Sequence, residues 1–216
     1  MAERLLRVIA SPRKERSRSE AVADILLQAI RERRPNVEIE TLDLWTEALP
    51  SLGGDMIEGR YRLIHGQPVG EELEAAWQEI REHADHFLSF DTWLIATPMW
   101  NFGLPYRLKH WIDVVTQPGM AFTNDASGSV IGHGAGKRAL LVAAGALDIR
   151  TGGALAHLDF QLSYLRAWLG FIGTKDIHEL KVSPTFGATG DVEKAMAEAA
   201  AEARILAARL YPAEGA

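Results

Sequence analysis

The sequence predicts an α/β fold in which a parallel sheet of five strands carries helices on both faces. Three observations lead to this prediction: apolar runs alternate with helical patterns, the apolar runs are short and continuous, and turn residues separate the two kinds of segment. Continuous apolar runs are typical of strands buried on both faces, as the strands of parallel sheets are. We therefore expect a doubly wound sheet with the strand order 2-1-3-4-5.

The first half of the chain supplies three strands and two helices. Leu5 to Ala10 reads as a buried strand, and Val37 to Thr41 alternates as a strand at the sheet edge does. No helical or strand period holds from Trp45 to Gly70, so we expect a long loop there. The two helices and the third strand are predicted at 21–30, 73–87 and 92–98.

The second half adds two strands and three helices. The strands are predicted at 138–144 and within 171–182, and the helices at 104–115, 155–169 and 192–210. Residues 117–136, which include five Gly and two Ser, are expected to be irregular. There is no internal repeat or linker, so residues 1–216 are predicted to form one domain. Five β/α units match a flavodoxin-like sheet; a TIM barrel needs eight, and the six-stranded dinucleotide-binding fold is the nearer competitor.

Composition excludes several classes of function. With 23 basic and 29 acidic residues the net charge is −6, so we expect no general attraction to nucleic acid or to an anionic membrane. The absence of cysteine excludes disulfides, thiolate nucleophiles and iron–sulfur clusters. Of the seven histidines, His83 and His86 lie three apart on a predicted helix, but no clear carboxylate motif lies near them, so no metal is expected. No targeting signal or membrane span is visible, which predicts a soluble, cytoplasmic protein.

Ligands of open parallel sheets bind beyond the carboxyl ends of the strands, where the strand order reverses. The first loop at that point, SPRKERSRSE, places Ser11, Ser17, Arg18 and Ser19 around the start of a helix. Free N–H groups, hydroxyls and positive charge suit a phosphate group. The alternative is that Ser17 only caps its own helix, because Ser17-Arg18-Ser19-Glu20 also fits a capping box.

Two further turns should lie at the same edge. Met99, Trp100, Asn101 and Phe102 follow the third strand and could stack on a flat ligand. On composition alone, packing beneath the next helix is the more frequent role of such aromatic side chains. The segment 144–153 follows the fourth strand and is the third place at which a ligand could make contact.

The stretch PMWNFGLPYRLKHWIDVVTQPGMAFT, residues 98–123, closely resembles the flavin-contacting segment of the FMN-dependent NADH azoreductases, a branch of the flavodoxin-like NAD(P)H:quinone oxidoreductases. That family shows P-M-Y-N-F followed by L-K-x-[FYW]-[FIL]-D, and here Trp100 replaces the usual Tyr. The serines of the first loop also agree. A T-S-R-G-G-like turn after the fourth strand is replaced by AAGAL, residues 143–147.

The resemblance implies an FMN-dependent enzyme that passes two electrons from NADH or NADPH to a quinone or an azo compound in ping-pong fashion. The chemistry would be carried by flavin N5, so no catalytic side chain is expected. The implied FMN contacts are Ser11, Ser17, Arg18 and Ser19 at the phosphate, Met99, Trp100, Asn101 and Phe102 at the ring, and Gly145 and Ala146 at the pyrimidine edge, through backbone N–H groups. A homodimer with the site at the subunit interface is implied as well.

Two other functions stay open on sequence. Some family members have been labelled acyl-carrier-protein phosphodiesterases, which would make the protein a hydrolase. The other alternative is a flavodoxin-like FMN-binding or regulatory protein without turnover. The sequence contains neither a metal cluster nor a Ser/His/Asp arrangement that would activate a water or a nucleophile, which disfavours the hydrolase.

Overall fold

The computed structural model describes residues 2–149 and 152–212, which are built around one parallel sheet. Its strands are β1 (Arg4–Ile9), β2 (Glu38–Asp43), β3 (Thr92–Pro98), β6 (Arg138–Ala144) and β7 (Asp176–Val182). A separate antiparallel hairpin is formed by β4 (Phe122–Asn124) and β5 (Val130–Gly132). The strand order of the sheet is β2-β1-β3-β6-β7, which confirms the predicted order of the five parallel strands.

The helices lie on both faces of the sheet, as predicted. They are α1 (Arg18–Arg33), α2 (Gly54–Ile64), α3 (Glu71–Leu88), α4 (Tyr106–Val115), α5 (Phe160–Phe171) and α6 (Thr189–Leu210). Helices α1 and α6 pack on one face against residues such as Leu5, Leu94 and Leu140. Helices α3, α4 and α5 pack on the other, against the alternate residues of the same strands.

The two faces have different cores. Beneath α3, α4 and α5, Phe87 stacks on Trp93 with ring centroids 4.1 Å apart and meets Trp111 edge to face at 5.1 Å. Beneath α6, the buried positions Ala199 and Ala203 let the helix approach the sheet and α1 closely. Burial of strand residues on both sides explains why the strands read as continuous apolar runs.

Two segments expected to be irregular contain regular structure. Residues 45–70 include α2, whose Gly59 had the appearance of a loop residue. A Cβ at Gly59 would lie 2.0 Å from a side-chain carbon of Leu73, so the glycine lets α2 pack on α3. Residues 117–136 include the β4–β5 hairpin, in which a Cβ at Gly132 would lie 2.0 Å from the backbone of Ile172. In both cases the glycine serves close packing, which no periodic pattern displays.

The strand register brings three chain segments to one edge of the sheet. Ile9 pairs with Ala96, and Pro98 pairs with Ala144. The backbone N–H of Met99 then donates to the carbonyl of Ala144 at 2.7 Å, which fixes the turn after β3 against the end of β6. The first loop and the turns after β3 and β6 therefore lie beside one another at the switch point.

Candidate functional site

The phosphate loop, residues 11–19, presents buried hydroxyls at the start of α1. Ser11, Ser17 and Ser19 are 1%, 4% and 0% exposed. The hydroxyl oxygens of Ser17 and Ser19 lie 3.1 Å apart. In the part of the chain that the structure describes, the backbone N–H groups of Arg18 and Ser19 have no hydrogen-bond partner. Hydroxyls and free N–H groups at the positive end of a helix form a site suited to an anion.

Of the two hydrogen bonds that make up a capping box, only the one accepted by the Ser17 hydroxyl is formed. Ser17 Oγ accepts a long 3.4 Å hydrogen bond from the backbone N–H of Glu20. The reciprocal bond of a capping box is not made, because the N–H of Ser17 donates to the carbonyl of Lys14 at 2.8 Å and the Glu20 carboxylate accepts from Arg7 at 2.8 Å. A hydroxyl both donates and accepts, so Ser17 can cap its helix and still donate to a phosphate.

The charges of the phosphate loop are divided between structure and solvent. Lys14 pairs with Asp43. Arg18, at the first position of α1, is exposed and has no ion-pair partner among the described residues. Arg18 therefore remains available to an anion, as do the exposed Arg13 and Arg16, whereas Lys14 is tied to the end of β2.

A buried carboxylate lies directly behind the loop. Glu20 is 5% exposed, and burial raises its pKa to about 7 in spite of its hydrogen bond with Arg7. Arg7 pairs with Asp24 as well, at 2.7 Å. Glu20 Oε1 and Arg7 Nε have no partner among the described atoms. The first turn of α1 thus carries an acid that titrates close to neutral pH, a feature that the sequence analysis did not find.

The aromatic turn, residues 99–103, is held in an uncommon backbone conformation. Trp100 and Gly103 exchange two backbone hydrogen bonds of 3.0 and 2.9 Å, which closes a tight turn around Asn101 and Phe102. Both central residues have positive φ, 47° and 69°. Asn tolerates this left-handed region, whereas for a bulky Phe it is costly, by an amount of order 1–3 kcal/mol. The surrounding fold therefore holds the backbone of Phe102 in a strained conformation.

The aromatic side chains of the turn are not core anchors. Trp100 and Phe102 are 37% and 40% exposed. Trp100 packs against Trp45 and Tyr106, with ring centroids 5.8 and 6.2 Å away. The structure thus leaves aromatic surface open to a flat ligand, which answers the question that composition left open.

Trp45 and Tyr106 were missed by the sequence analysis. The indole N–H of Trp45 donates to the carbonyl of Ala10 at 3.0 Å, immediately before the phosphate loop, so Trp45 connects that loop with Trp100. The position of Trp45 in the sequence could have indicated it, because Trp45 follows the carboxyl end of β2, at the same edge of the sheet.

The ring-edge turn, residues 145–149, offers backbone groups only in part. The N–H of Gly145 donates to the carbonyl of Val182 at 3.0 Å, so this group is already used by the sheet. Ala146 is exposed, and within the described ranges its N–H has no partner. Of the two residues predicted at the pyrimidine edge, Ala146 is therefore the one with a free donor. Residues 150 and 151 of the predicted 144–153 segment lie outside the described residues.

Two further findings concern the described residues, 2–149 and 152–212. No group of three or more His, Asp or Glu side chains in them is placed to bind a metal ion. None of their helices combines the length and the apolar character that crossing a bilayer requires.

Comparison with known proteins connects this geometry to a family. A family model described as a flavodoxin-like fold matches residues 3–206. The FMN-dependent NADH:quinone oxidoreductase of Desulfotalea psychrophila is 38% identical over 208 residues, which cover 96% of this chain and 98% of the relative. An FMN-dependent NADH:quinone oxidoreductase of Pseudomonas fluorescens is also 38% identical and covers 96% and 99% of the two chains. The chain belongs to the flavodoxin-like family that includes these oxidoreductases.

Solved structures share this fold over nearly the whole chain. The azoreductase AzrA superposes with a TM-score of 0.86 at 26% identity, covering 95% of this chain and 99% of that structure. An azoreductase from Bacillus anthracis gives the same TM-score of 0.86 at 24% identity, covering 97% and 100%. These superpositions agree with the five-stranded parallel sheet described above.

Proposed function

We propose that the protein is an FMN-dependent NAD(P)H oxidoreductase that reduces quinones or azo compounds. The observation that carries the proposal is the joining of two features at one sheet edge: a cup of buried hydroxyls and free N–H groups, and an exposed aromatic turn held at positive φ. FMN needs both, because it has a charged phosphate at one end and a flat ring system at the other. Relatives that are 38% identical over most of their length carry the names FMN-dependent NADH:quinone oxidoreductase.

The residues present fit FMN. Ser11, Ser17, Ser19 and the N–H groups that begin α1 would hold the phosphate, with Arg18 supplying positive charge. Met99, Trp100, Asn101 and Phe102 would border the ring, and Ala146 would donate to its pyrimidine edge. When bound, the flavin supplies hydride chemistry at N5. The protein's part is to bind and orient, so no acid, base or nucleophile among its side chains is required.

The decisive experiment follows the colour of the protein. The purified protein is expected to be yellow with about one FMN per chain, and NADH or NADPH added without oxygen should bleach it. A colourless protein that does not take up added FMN would refute the proposal. Bound FMN that neither nicotinamide reduces would instead indicate a binding or regulatory protein, and release of the prosthetic group from acyl carrier protein would indicate the hydrolase.

We propose further that the nicotinamide and the acceptor use the same ring face in turn. Trp100 and Phe102, the two aromatic side chains of the turn, are each more than one third exposed, which supports an open aromatic surface beside the ring. Steady-state data at several fixed quinone concentrations should then give parallel double-reciprocal lines. Intersecting lines would mean that both substrates bind together, which would contradict a shared face.

The face formed by α4 and α5 is our candidate for association of two copies. Between these helices lies a cavity of about 580 Å³ with a largely apolar lining that includes Ile57 and Phe171, 40% and 43% exposed. Phe160, 58% exposed, begins α5 and donates its N–H to the carbonyl of Phe102 at 3.1 Å. Exposed apolar surface of this kind marks interaction sites, and covering it would bring a second chain beside the aromatic turn.

Sedimentation equilibrium tests this association. Phe171→Glu should shift a dimer toward monomer, whereas Ile205→Glu, at a 67% exposed position on α6 across the sheet, should not. A wild-type protein that sediments as a monomer at micromolar concentration would refute it.

A further inference from the structure

A second cavity, of about 460 Å³, adjoins the phosphate loop on the side of α1 and α6. Its lining includes Arg18, Thr185, Phe186, Gly187, Glu193 and Met196. Two connections join it to the proposed FMN site. Arg18 belongs to both, and the N–H of Thr185 donates to the carbonyl of Gly145, at the start of the ring-edge turn, at 2.9 Å. A volume of this size lies within the range of small-molecule sites.

Several polar groups of this cavity have no partner within the described residues. Arg18 and Glu193 carry opposite charges, and neither has an ion-pair partner among the described residues. The N–H groups of Thr189 and Gly190, at the start of the 22-residue helix α6, also have no partner there, and no side chain caps this helix. The cavity thus combines donors for a phosphate with a carboxylate that can accept from a hydroxyl.

The apolar part of the cavity contains an unusually exposed ring. Phe186 is 80% exposed, more than any other large hydrophobic residue in the described ranges, and it makes no ring contact with them. Met196 and Val192 supply the neighbouring apolar wall. A phenyl ring left open beside an apolar wall is suited to stacking with a planar base.

We propose that this cavity binds the adenosine phosphate half of NADH, with Phe186 against the adenine, Arg18 and the start of α6 at the pyrophosphate, and Glu193 accepting from the ribose 2′-hydroxyl. The proposal rests on the proposed function, since it gives the reductant of that reaction a second anchor. The five N–H donors of Arg18 allow one guanidinium to serve the FMN phosphate and the pyrophosphate together. The 2′-phosphate of NADPH would meet the carboxylate of Glu193, so the cavity favours NADH.

The first test measures the reductive half-reaction of the FMN-loaded protein by stopped flow. Phe186→Ala should raise the apparent Kd for NADH at least about fivefold, because base stacking is lost. The Kd for reduced nicotinamide mononucleotide, which lacks the adenosine half, should be the same in both proteins. Ile205→Ala, a second exposed apolar residue on α6, is the matched control and should leave the Kd for NADH unchanged.

The second test addresses the carboxylate. Glu193→Gln should lower the preference for NADH over NADPH by about fivefold, because a like-charge contact is removed. Glu202→Gln, at an exposed position farther along α6, is the control. Calorimetric titration of the FMN-loaded protein with AMP supplies a readout that does not depend on turnover, and Phe186→Ala should weaken AMP binding by the same factor as NADH binding.

Equal Kd values for NADH in the wild type and Phe186→Ala would overturn the proposal. So would an unchanged nicotinamide preference in Glu193→Gln. Tighter binding of FAD than of FMN, lost in Phe186→Ala, would assign the cavity to the flavin cofactor and overturn it too. Failure of the proposed function is a separate result, because it shows as wild-type protein that NADH does not bleach even at saturation.

Discussion

The phosphate loop and the aromatic turn lie at the same sheet edge, but they are built in opposite ways. The three serines of the phosphate loop are at most 4% exposed, and the loop includes the first residues of the long helix α1. The aromatic turn leaves Trp100 and Phe102 more than one third exposed and holds Phe102 at a φ of 69°. The first arrangement suits tight, permanent binding of a charged group, and the second suits a surface on which small molecules exchange. We therefore expect mutations in the phosphate loop to weaken binding of the flavin phosphate, and mutations in the aromatic turn to weaken binding of the flavin ring.

The largest effect is expected from the phosphate loop. Ser17→Ala combined with Ser19→Ala removes two hydroxyl donors, and hydrogen bonds to a charged group contribute roughly 1.5–3 kcal/mol each. The Kd for FMN should therefore rise at least about tenfold, whereas riboflavin, which has no phosphate, should bind as before. Fluorescence titration with both flavins measures this.

A matched control exists in the β4–β5 hairpin. Ser127 and Ser129 form a similar hydroxyl pair at 2.9 Å, and replacing both with Ala should change neither flavin's Kd. If FMN and riboflavin weaken equally in the phosphate-loop variant, Ser17 acts as a cap only and the phosphate lies elsewhere.

The next effect concerns the stability of the phosphate loop itself. Burial raises the pKa of Glu20 from 4.5 to about 7. Between these pH values the folded state keeps a proton that the unfolded state has lost, so the free energy of unfolding falls as the pH rises, by up to about 3 kcal/mol, and the effect is complete above the folded-state pKa. Urea unfolding of the flavin-free protein at a series of pH values measures the slope.

Glu20→Gln should remove this part of the slope, since Gln does not titrate. Glu15→Gln, at an exposed position in the same loop, should leave the slope as it is in the wild type. The charges of Arg7, Asp24 and Asp43 act on the pKa of Glu20, and both variants retain these residues. The difference between the stability-versus-pH curves of the two variants therefore measures the contribution of Glu20. Identical slopes in wild type and Glu20→Gln would show that the carboxyl ionises at its ordinary pKa.

In the aromatic turn the expected effect is smaller and of another kind. Phe102→Gly removes a ring from the proposed stacking surface, so FMN and riboflavin should both weaken, by about fivefold and by the same factor. The free energy of unfolding should change by less than about 1 kcal/mol, because glycine relieves the strain at positive φ while the contacts of a half-exposed ring are lost. Phe102→Tyr, which keeps the ring, should restore binding. A loss confined to FMN would place Phe102 at the phosphate instead.

The sequence predicted the fold well because the strands of a parallel sheet are covered on both faces, so nearly all of their residues are apolar. Leu94, Ile95 and Ala96 are buried whichever face each one meets, so the apolar run identifies the strand without knowledge of its partners. Helix α2 was missed for the opposite reason. Gly59 is required because the side chain of Leu73, on another helix, packs against it. The residue pattern of one segment contains no information about such a contact between two helices.

The candidate site was predictable to the extent that position determines it. Strand order alone directs attention to the carboxyl ends of β1, β3 and β6, and the predicted serines and aromatic residues do lie there. Hydrogen bonding could not be predicted in the same way. Whether the N–H of Gly145 is free depends on Val182, and whether Ser17 completes a capping box depends on Arg7, which competes for Glu20.

The smallest expected effect concerns the ring-edge turn, where residues 143–147 read AAGAL and offer no polar side chain. If Ala146 supplies only its backbone N–H, Ala146→Ser adds a hydroxyl at the pyrimidine edge and one hydrogen bond between neutral groups, worth about 0.5–1 kcal/mol. FMN and riboflavin should then both bind two- to fivefold more tightly, since the gain lies at the ring that they share. Ala135→Ser, at an exposed position in the turn before β6, is the control and should change neither Kd. The exposure of Ala146 means that the hydroxyl costs little to accommodate, so the free energy of unfolding should not move. Tighter binding of FMN alone would show that the turn reaches the phosphate end, and unchanged binding of both flavins would remove Ala146 from the ring edge.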